Sequence, residues 1–190
     1  MEPPDHVAAV ILAAGEARRF GSPKQLAPLH GRALLQHVVD AASAAGLAPI
    51  IAVVPPDLPL TEADVLLVPN AGPELGMSHS LRLGFAALPD DVEAAVILLG
   101  DQPTVDPPLL ARLIAARGAT PFVSARVDGL LVPPVLVERS HFADIRQPSG
   151  DIGLREILRE HAELVTAVEE PRGLADVDTV ADLAALAEGS

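Results

Sequence analysis

The chain has 190 residues, of which 49% are hydrophobic and 2% aromatic, and its formal net charge is −13 at pH 7. This length predicts one domain over residues 1–190, with a core built from aliphatic side chains. The acidic balance and the shortage of aromatic rings argue against a nucleic-acid partner, because such surfaces need clustered positive charge and stacking platforms.

The chain contains no cysteine, which excludes disulfides, thiolate zinc sites and cysteine nucleophiles. Its N-terminus is acidic and proline-rich, and no apolar run approaches the roughly 18 residues that span a bilayer. We therefore expect a cytoplasmic protein with no membrane partner.

Apolar runs and helical spacings alternate along the chain. In chain order, the patterns predict a strand at 7–13, a helix at 32–45, strands at 50–54 and 65–68, a helix at 80–88, a strand at 94–99, a helix at 107–117, strands at 122–125 and 134–137, a helix at 153–161, a strand at 164–168 and a helix at 179–187. Gly46 is a typical helix stop, and Pro107 is typical of a helix start. Alternation of this kind predicts an α/β fold with a mostly parallel sheet.

The first strand runs into a basic, glycine-bounded loop within AVILAAGEARRFGSPKQLAPLHG, residues 9–31. Ligands of open α/β sheets bind beyond the carboxyl ends of the strands, where this loop begins. Gly15 and Gly21 permit tight backbone geometry, and Arg18, Arg19 and Lys24 can neutralise phosphate charge. The loop matches neither the P-loop nor the dinucleotide-binding pattern, so an ordinary surface turn remains the alternative interpretation.

A second strand, in VILLGDQP at residues 96–103, ends in an aspartate. A carboxylate there can hold Mg²⁺ while substrate phosphates and waters fill the other coordination positions. The alternative is that Asp101 caps a turn or the following helix, but Asp106 is better placed as that cap. A phosphate loop beside a metal-binding carboxylate is what nucleotidyl transfer requires.

The stretch LAAGEARRFGSPKQLAPLHGRALL resembles the signature of the MobA-like nucleotidyltransferases. Further segments agree in order: NAGPELGMSHSLRLGF, LLGDQPTV, PSGDIGLREIL and DVDTVADL. The chain looks most like the molybdenum cofactor cytidylyltransferase (MocA-type) branch. The resemblance implies a Rossmann-like three-layer α/β/α sandwich of the GT-A-like nucleotidyltransferase type. It also implies Mg²⁺-dependent transfer of CMP from CTP to the terminal phosphate of a molybdopterin-type cofactor, with release of pyrophosphate.

The resemblance also assigns roles to residues. Arg19, Lys24 and Asp101 match its catalytic positions, with Asp101 as the metal ligand and Asp178 as a second metal contact. The nucleotide-binding positions are Leu12, Ala13, Ala14, Gly15, Arg19, Lys24, Asn70, Gly76, Met77 and Ser78. An oxygen-ligand site would accept Mn²⁺ as well as Mg²⁺.

Several alternatives remain open at this stage. Asp178, with Thr179, can instead simply be the cap of the last helix. GTP can replace CTP, although Ala14 favours cytidine because guanylyl relatives usually have glycine there. The branch usually carries Gly-His where this chain has Val132-Pro133, so the acceptor can be another phosphorylated compound. A non-catalytic accessory protein, which would deliver cofactor to a molybdoenzyme recipient, is the candidate function from a different class.

Overall fold

In a computed structural model of the chain, residues 6–15, 20, 23–59, 64–146 and 153–188 are described. A seven-stranded sheet forms the centre, with strand order β5-β4-β1-β6-β8-β7-β9, and a two-stranded hairpin, β2-β3, lies apart from it. The strands are β1 Val7–Leu12, β2 Pro28–Leu29, β3 Arg32–Ala33, β4 Ile50–Val54, β5 Val65–Pro69, β6 Ala94–Leu99, β7 Phe122–Val127, β8 Leu130–Glu138 and β9 Val165–Glu169. The helices are α1 Leu34–Ala44, α2 Met77–Ala86, α3 Pro107–Ala115, α4 Phe142–Arg146, α5 Leu154–Glu160 and α6 Val180–Glu188.

The sheet is parallel except for β8, which runs antiparallel to both of its neighbours. Strand β1 lies between β4 and β6, with Val10 opposite Ile51 on one side and Ile97 on the other. The carboxyl ends of β1, β4 and β6 therefore meet at one edge of the sheet. The predicted α/β fold with a mostly parallel sheet is confirmed.

Helices cover both faces of the sheet, which explains why its central strands are apolar without alternation. On β1, Ala9 and Ile11 pack with α1 and α3, whereas Ala8 and Val10 pack with α2, α4 and α5. Every residue of β1 is buried. Since both faces are covered, each strand position needs an apolar side chain.

The observed element boundaries correct several predictions. Helix α2 begins at Met77 rather than at residue 80, so Met77 and Ser78, which we expected in a loop, form its first turn. Strand β8 extends well beyond the predicted 134–137. The β2-β3 hairpin and the short helix α4 were not predicted, because elements of two to five residues carry too little periodicity to detect. Among the described helices, none combines the length and apolar character needed to cross a bilayer.

Candidate active site

A cavity of about 320 Å³ opens at the carboxyl ends of β1 and β6. It is lined by the end of β1 and the turn after it, by the end of β6 and by the start of α2. The lining residues are Leu12, Ala13, Ala14, Gly15, Lys24, Gln25, Pro73, Gly76, Met77, Ser80, Leu99, Gly100 and Asp101. Most of the predicted nucleotide-binding positions are therefore brought together here.

The turn after β1 is held by its neighbours on three sides. Ala13 N–H donates to the Val53 carbonyl at 2.8 Å, and Gly100 N–H donates to the Leu12 carbonyl at 2.9 Å. The buried Gln25 side chain donates from Nε2 to the Ala13 carbonyl. This role of Gln25 was not predicted, because its only signal in the sequence is its position next to Lys24. These bonds fix the backbone that lines the cavity before any ligand arrives.

Lys24 joins two acidic residues at the cavity mouth. Its Nζ donates to Asp101 Oδ2 at 2.6 Å, to Asp178 Oδ1 at 3.2 Å and to the Val177 carbonyl at 3.3 Å. Lys24 is the single lysine of the chain. The ammonium group therefore links the start of the chain, the end of β6 and the segment before α6.

The surroundings of this cluster raise the pKa values of Lys24 and Asp176. Partial burial would lower the pKa of Lys24, but the hydrogen bond and negative charge of Asp101, with help from Asp178, outweigh it and raise that pKa. The pKa of Asp176 is raised by loss of hydration and by repulsion from Asp101 and Asp178, against a hydrogen bond from Gln102. At neutral pH Lys24 is thus a charged ammonium group.

Asp101 keeps one free oxygen. Its Oδ1 is buried and has no hydrogen-bond partner among the described residues, while Oδ2 is bound to Lys24. Asp106, not Asp101, caps α3, since its Oδ1 accepts from Leu109 N–H at 3.0 Å. The prediction that Asp106 leaves Asp101 free of capping is confirmed. An unpaired carboxylate oxygen is the kind of donor that binds a hard divalent cation.

Side chains other than that of Asp178 cap the amino end of α6. Asp182 Oδ2 accepts from the Asp178 and Thr179 N–H groups at 3.0 and 2.7 Å, and Thr179 Oγ1 accepts from Asp182 N–H at 3.2 Å. Thr179 and Asp182 thus cap α6 reciprocally. The carboxylate of Asp178 lies at Lys24 instead, so the cap alternative left open from the sequence does not hold for its side chain.

Asn70 and Ser78 lie behind the cavity wall. Asn70 Nδ2 donates to Ser80 Oγ at 3.0 Å, and Asn70 Oδ1 accepts from Gly72 N–H at 2.9 Å. Ser78 is fully buried in the first turn of α2. Neither residue is part of the cavity lining, so contact with a nucleotide stays a prediction for both. Arg19, the remaining predicted phosphate-binding residue, lies outside the described residues.

The start of α2 depends on a glycine. Gly76 precedes the helix with φ of 83°, in the left-handed region that side chains with a Cβ avoid. This turn places the amino end of a ten-residue helix beside the cavity, where the helix dipole favours an anion. Met77, the next residue, lines the cavity and stays partly exposed.

A second cavity of about 380 Å³ adjoins the first, and Met77 and Leu99 line both. Its other walls come from the turn after β6, the β7-β8 hairpin, the start of α5 and the segment before α6. They include Gln102, Val132, Pro133, Arg155, Leu174 and Asp176. The predicted departure at Val132-Pro133 thus lies in this second cavity and away from the first.

Comparison with known proteins identifies this arrangement. The model of the MobA-like NTP transferase domain matches residues 9–165, which include β1, Lys24 and Asp101. The chain belongs to this family. The family resemblance predicted from the sequence is confirmed at this level, and an NTP is accordingly the expected class of substrate.

Similar proteins agree with the assignment. The crystal structure of Rv0371c from Mycobacterium tuberculosis is 28% identical, with a TM-score of 0.86 over 98% of this chain and 100% of that one. A structure of the same protein in complex with manganese has a TM-score of 0.79 at 28% identity, over 97% and 100% of the two chains. The bifunctional protein GlmU of Halorhodospira halophila is 38% identical over 127 residues, which are 64% of this chain and 26% of that protein. The chain spans about a quarter of the length of the first curated relatives that it matches.

Proposed function

We propose that the chain is a divalent-metal-dependent nucleotidyltransferase that transfers CMP from CTP to the terminal phosphate of a molybdopterin-type cofactor and releases pyrophosphate. The observation that carries this proposal is the Lys24, Asp101 and Asp178 cluster at the mouth of a cavity formed by strand ends. One cation and two carboxylates at that point suit a triphosphate and its metal ion.

The residues present fit a divalent cation. Asp101 Oδ1 is buried and unpaired, and Asp178 supplies a second carboxylate beside it on Lys24. Among the described residues no three acidic or histidine side chains converge into a complete cage. This is the arrangement that Mg²⁺ favours, because it keeps several waters and takes substrate phosphates as ligands. The manganese complex of Rv0371c supports a divalent ion in the family.

A cation held by Asp101 and Asp178 would neutralise charge on the triphosphate as pyrophosphate departs. Lys24 would then exchange its carboxylate partners for phosphate oxygens and stabilise the charge that develops in the transition state. The acceptor phosphate oxygen attacks the α-phosphorus, a new P–O bond forms, and the bond to the β-phosphate breaks with its electron pair leaving on pyrophosphate. The acceptor phosphate is ionised at neutral pH, so the step needs neither a covalent nucleophile nor a strong base.

Features of the two cavities bear on the choice of base and of acceptor. Ala14 lines the first cavity and supports cytidine, since guanylyl relatives usually carry glycine there. The second cavity is the natural place for the acceptor, because it meets the first at Met77 and Leu99. Use of GTP, or of another phosphorylated acceptor, is the second candidate function, and Val132-Pro133 in the acceptor wall is the observation that favours a different acceptor.

The test is pyrophosphate release from CTP, GTP, ATP or UTP with Mg²⁺ and molybdopterin-type cofactor. Asp101→Ala is the diagnostic variant, and Asp90→Ala is its control, because Asp90 is fully exposed and lies before β6, away from the cavity. Release with CTP that is lost only in Asp101→Ala supports the proposal. Release with GTP alone moves the protein to guanylyl transfer. Cofactor binding with no release from any nucleotide favours a non-catalytic accessory protein that delivers cofactor to a molybdoenzyme.

A further inference from the structure

The second cavity contains one buried polar side chain whose bonding is incomplete. Gln102 is 3% exposed and lines the cavity wall. Its Nε2 donates to Asp176 Oδ1 at 2.8 Å, but its Oε1 has no donor among the described residues. A buried amide oxygen without a partner is unfavourable, and native structures rarely keep one without a reason.

Gln102 and Asp176 belong to the same two segments as Asp101 and Asp178 of the first cavity. Asp101 and Asp178 meet at Lys24, whereas Gln102 and Asp176 meet each other and line the second cavity. Residues of the same two segments thus line neighbouring cavities. The first pair can hold the metal ion that accompanies a triphosphate. The second pair can accept hydrogen bonds from a ligand in the second cavity.

The rest of the second cavity is largely apolar. Leu131, Val132 and Leu158 contribute to its walls, together with Met77 and Leu99. Walls of this kind cover the faces of a flat ring system, and the few polar groups among them decide which ring binds. Gln102 and Asp176, which are hydrogen-bonded to each other, are two of the polar residues in this lining, and both carry acceptor oxygens.

We propose that Gln102 is a specificity-determining residue that recognises the organic part of the acceptor, an inference that rests on the proposed function above. Asp176 holds the amide nitrogen, and Oε1 accepts a hydrogen bond from a ring N–H of the acceptor. The Asp176 carboxylate accepts from a second N–H beside it. The acceptor class is a phosphate monoester joined to a flat ring with two adjacent N–H donors, as in a fused aminopyrimidinone. A small rotation about the soft last torsion of the glutamine brings Oε1 to the ligand.

Two fluorescent phosphate monoesters of similar size test this inference by direct binding. 6-Hydroxymethylpterin phosphate has adjacent N–H donors, whereas naphthylmethyl phosphate is flat and has none. Gln102→Met removes the amide while keeping the length of the side chain. Gln36→Met is the matched control, because Gln36 also donates to an aspartate, Asp40, but lies on α1 away from both cavities.

We expect Gln102→Met to weaken binding of the pterin phosphate by about tenfold and to leave binding of the naphthyl phosphate within about twofold. Its melting temperature should change by only a few degrees, because removal of the unpaired buried oxygen offsets the loss of the hydrogen bond to Asp176. Asp176→Ala, which frees the amide, should reduce the preference for the pterin in the same direction. Equal weakening for both probes, or none for either, overturns the inference, as does a wild-type protein that binds neither probe.

Pyrophosphate release separates this inference from the proposed function. A wild-type protein that binds the pterin phosphate through Gln102 but releases no pyrophosphate from any nucleotide contradicts the proposed function and leaves the inference standing. A protein that releases pyrophosphate at the same rate with wild-type Gln102 and with Gln102→Met contradicts the inference and leaves the function standing.

Discussion

The backbone N–H of Val177 donates to the backbone carbonyl of Asp101 at 2.9 Å, which joins the segment before α6 to the end of β6. Val177 is fully buried, so this contact is anchored in the core. The two residues that flank Val177 are Asp176 and Asp178. The single main-chain bond therefore places one carboxylate beside Gln102 and the other beside Lys24.

Lys24→Met tests the role of the ammonium group. The substitution keeps an unbranched side chain but removes the charge that would stabilise the leaving pyrophosphate. We expect kcat/KM for CTP to fall by about 10²–10³-fold. Steady-state pyrophosphate release measures it. A fall smaller than about threefold would remove Lys24 from the proposed mechanism.

Chemical labelling of the single lysine provides an independent test of the nucleotide site. Reductive labelling with an aldehyde can modify only Lys24 and the N-terminal amine, and peptide mass spectrometry distinguishes them. CTP with Mg²⁺ should protect Lys24 while the N-terminal amine continues to react. Asp101→Asn should speed labelling of Lys24, because loss of the Asp101 charge lowers the Lys24 pKa and exposes more free amine. Unchanged labelling in the presence of nucleotide would argue against binding in this cavity.

Asp178→Asn and Thr179→Ala distinguish the metal contact from the helix cap. Asp178→Asn should weaken Mg²⁺-dependent activity by at least about tenfold at unchanged stability, since its carboxylate lies at Lys24. Thr179→Ala should lower the free energy of unfolding by about 1 kcal/mol through loss of the α6 cap, with kcat/KM within about twofold. Urea unfolding and an Mg²⁺ titration of activity measure both. The reverse pattern would make Asp178 a structural residue.

Gly100→Ala should disrupt the floor of the site. A Cβ on Gly100 would lie 2.7 Å from Ala13 Cβ and 3.3 Å from Ala13 Cα, where β1 and β6 end together. The Ala13 backbone cannot move aside as easily as the end of a flexible side chain. We therefore expect the free energy of unfolding to fall by about 1–3 kcal/mol. Gly15→Ala is the control, because a Cβ there meets nothing within 4 Å. Equal stability of the two variants would contradict this prediction.

Glu170 gives the fold a defined dependence on pH. A hydrogen bond from Arg172 lowers its pKa below the ordinary 4.5, against the opposing effect of burial, and Arg112 adds a further bond. A folded-state pKa below the unfolded value means that this contribution to stability is present above about pH 4.5 and is lost as the pH falls through the lowered folded value. Titration of Glu170 alone should therefore lower the free energy of unfolding as the pH falls.

Glu170→Gln isolates that contribution. It should reduce the free energy of unfolding by about 2 kcal/mol at pH 7, since it replaces the buried, charged partner of Arg112 and Arg172 with a neutral amide. The difference from wild type should shrink as the pH falls below 4. Glu163→Gln, at an exposed position, is the control. A difference that stays constant between pH 7 and pH 3 would exclude titration of Glu170 as the cause.

Much of the site could be predicted from local patterns. Uninterrupted apolar runs at 7–13 and 94–99 predicted two central parallel strands, and residues directly after such strands meet at one edge of the sheet. Lys24, Asp101 and the turn after β1 were therefore candidates before the structure was considered, and the structure brings them to one cavity. The family followed from motifs in the same segments, and the comparisons confirm it.

By itself, the sequence determined the alternation of strands and helices, the class of fold and the family, because these depend on residue periodicity and on contiguous motifs. Tertiary structure alone decided which side chain caps α6, where Asp178 points and which partner Gln102 lacks. It also decided the reversed direction of β8 and the burial of Ser78. The physical reason is that these features depend on long-range contacts such as the bond from Val177 to Asp101, and a local pattern of side chains carries no information about which distant backbone group it will meet.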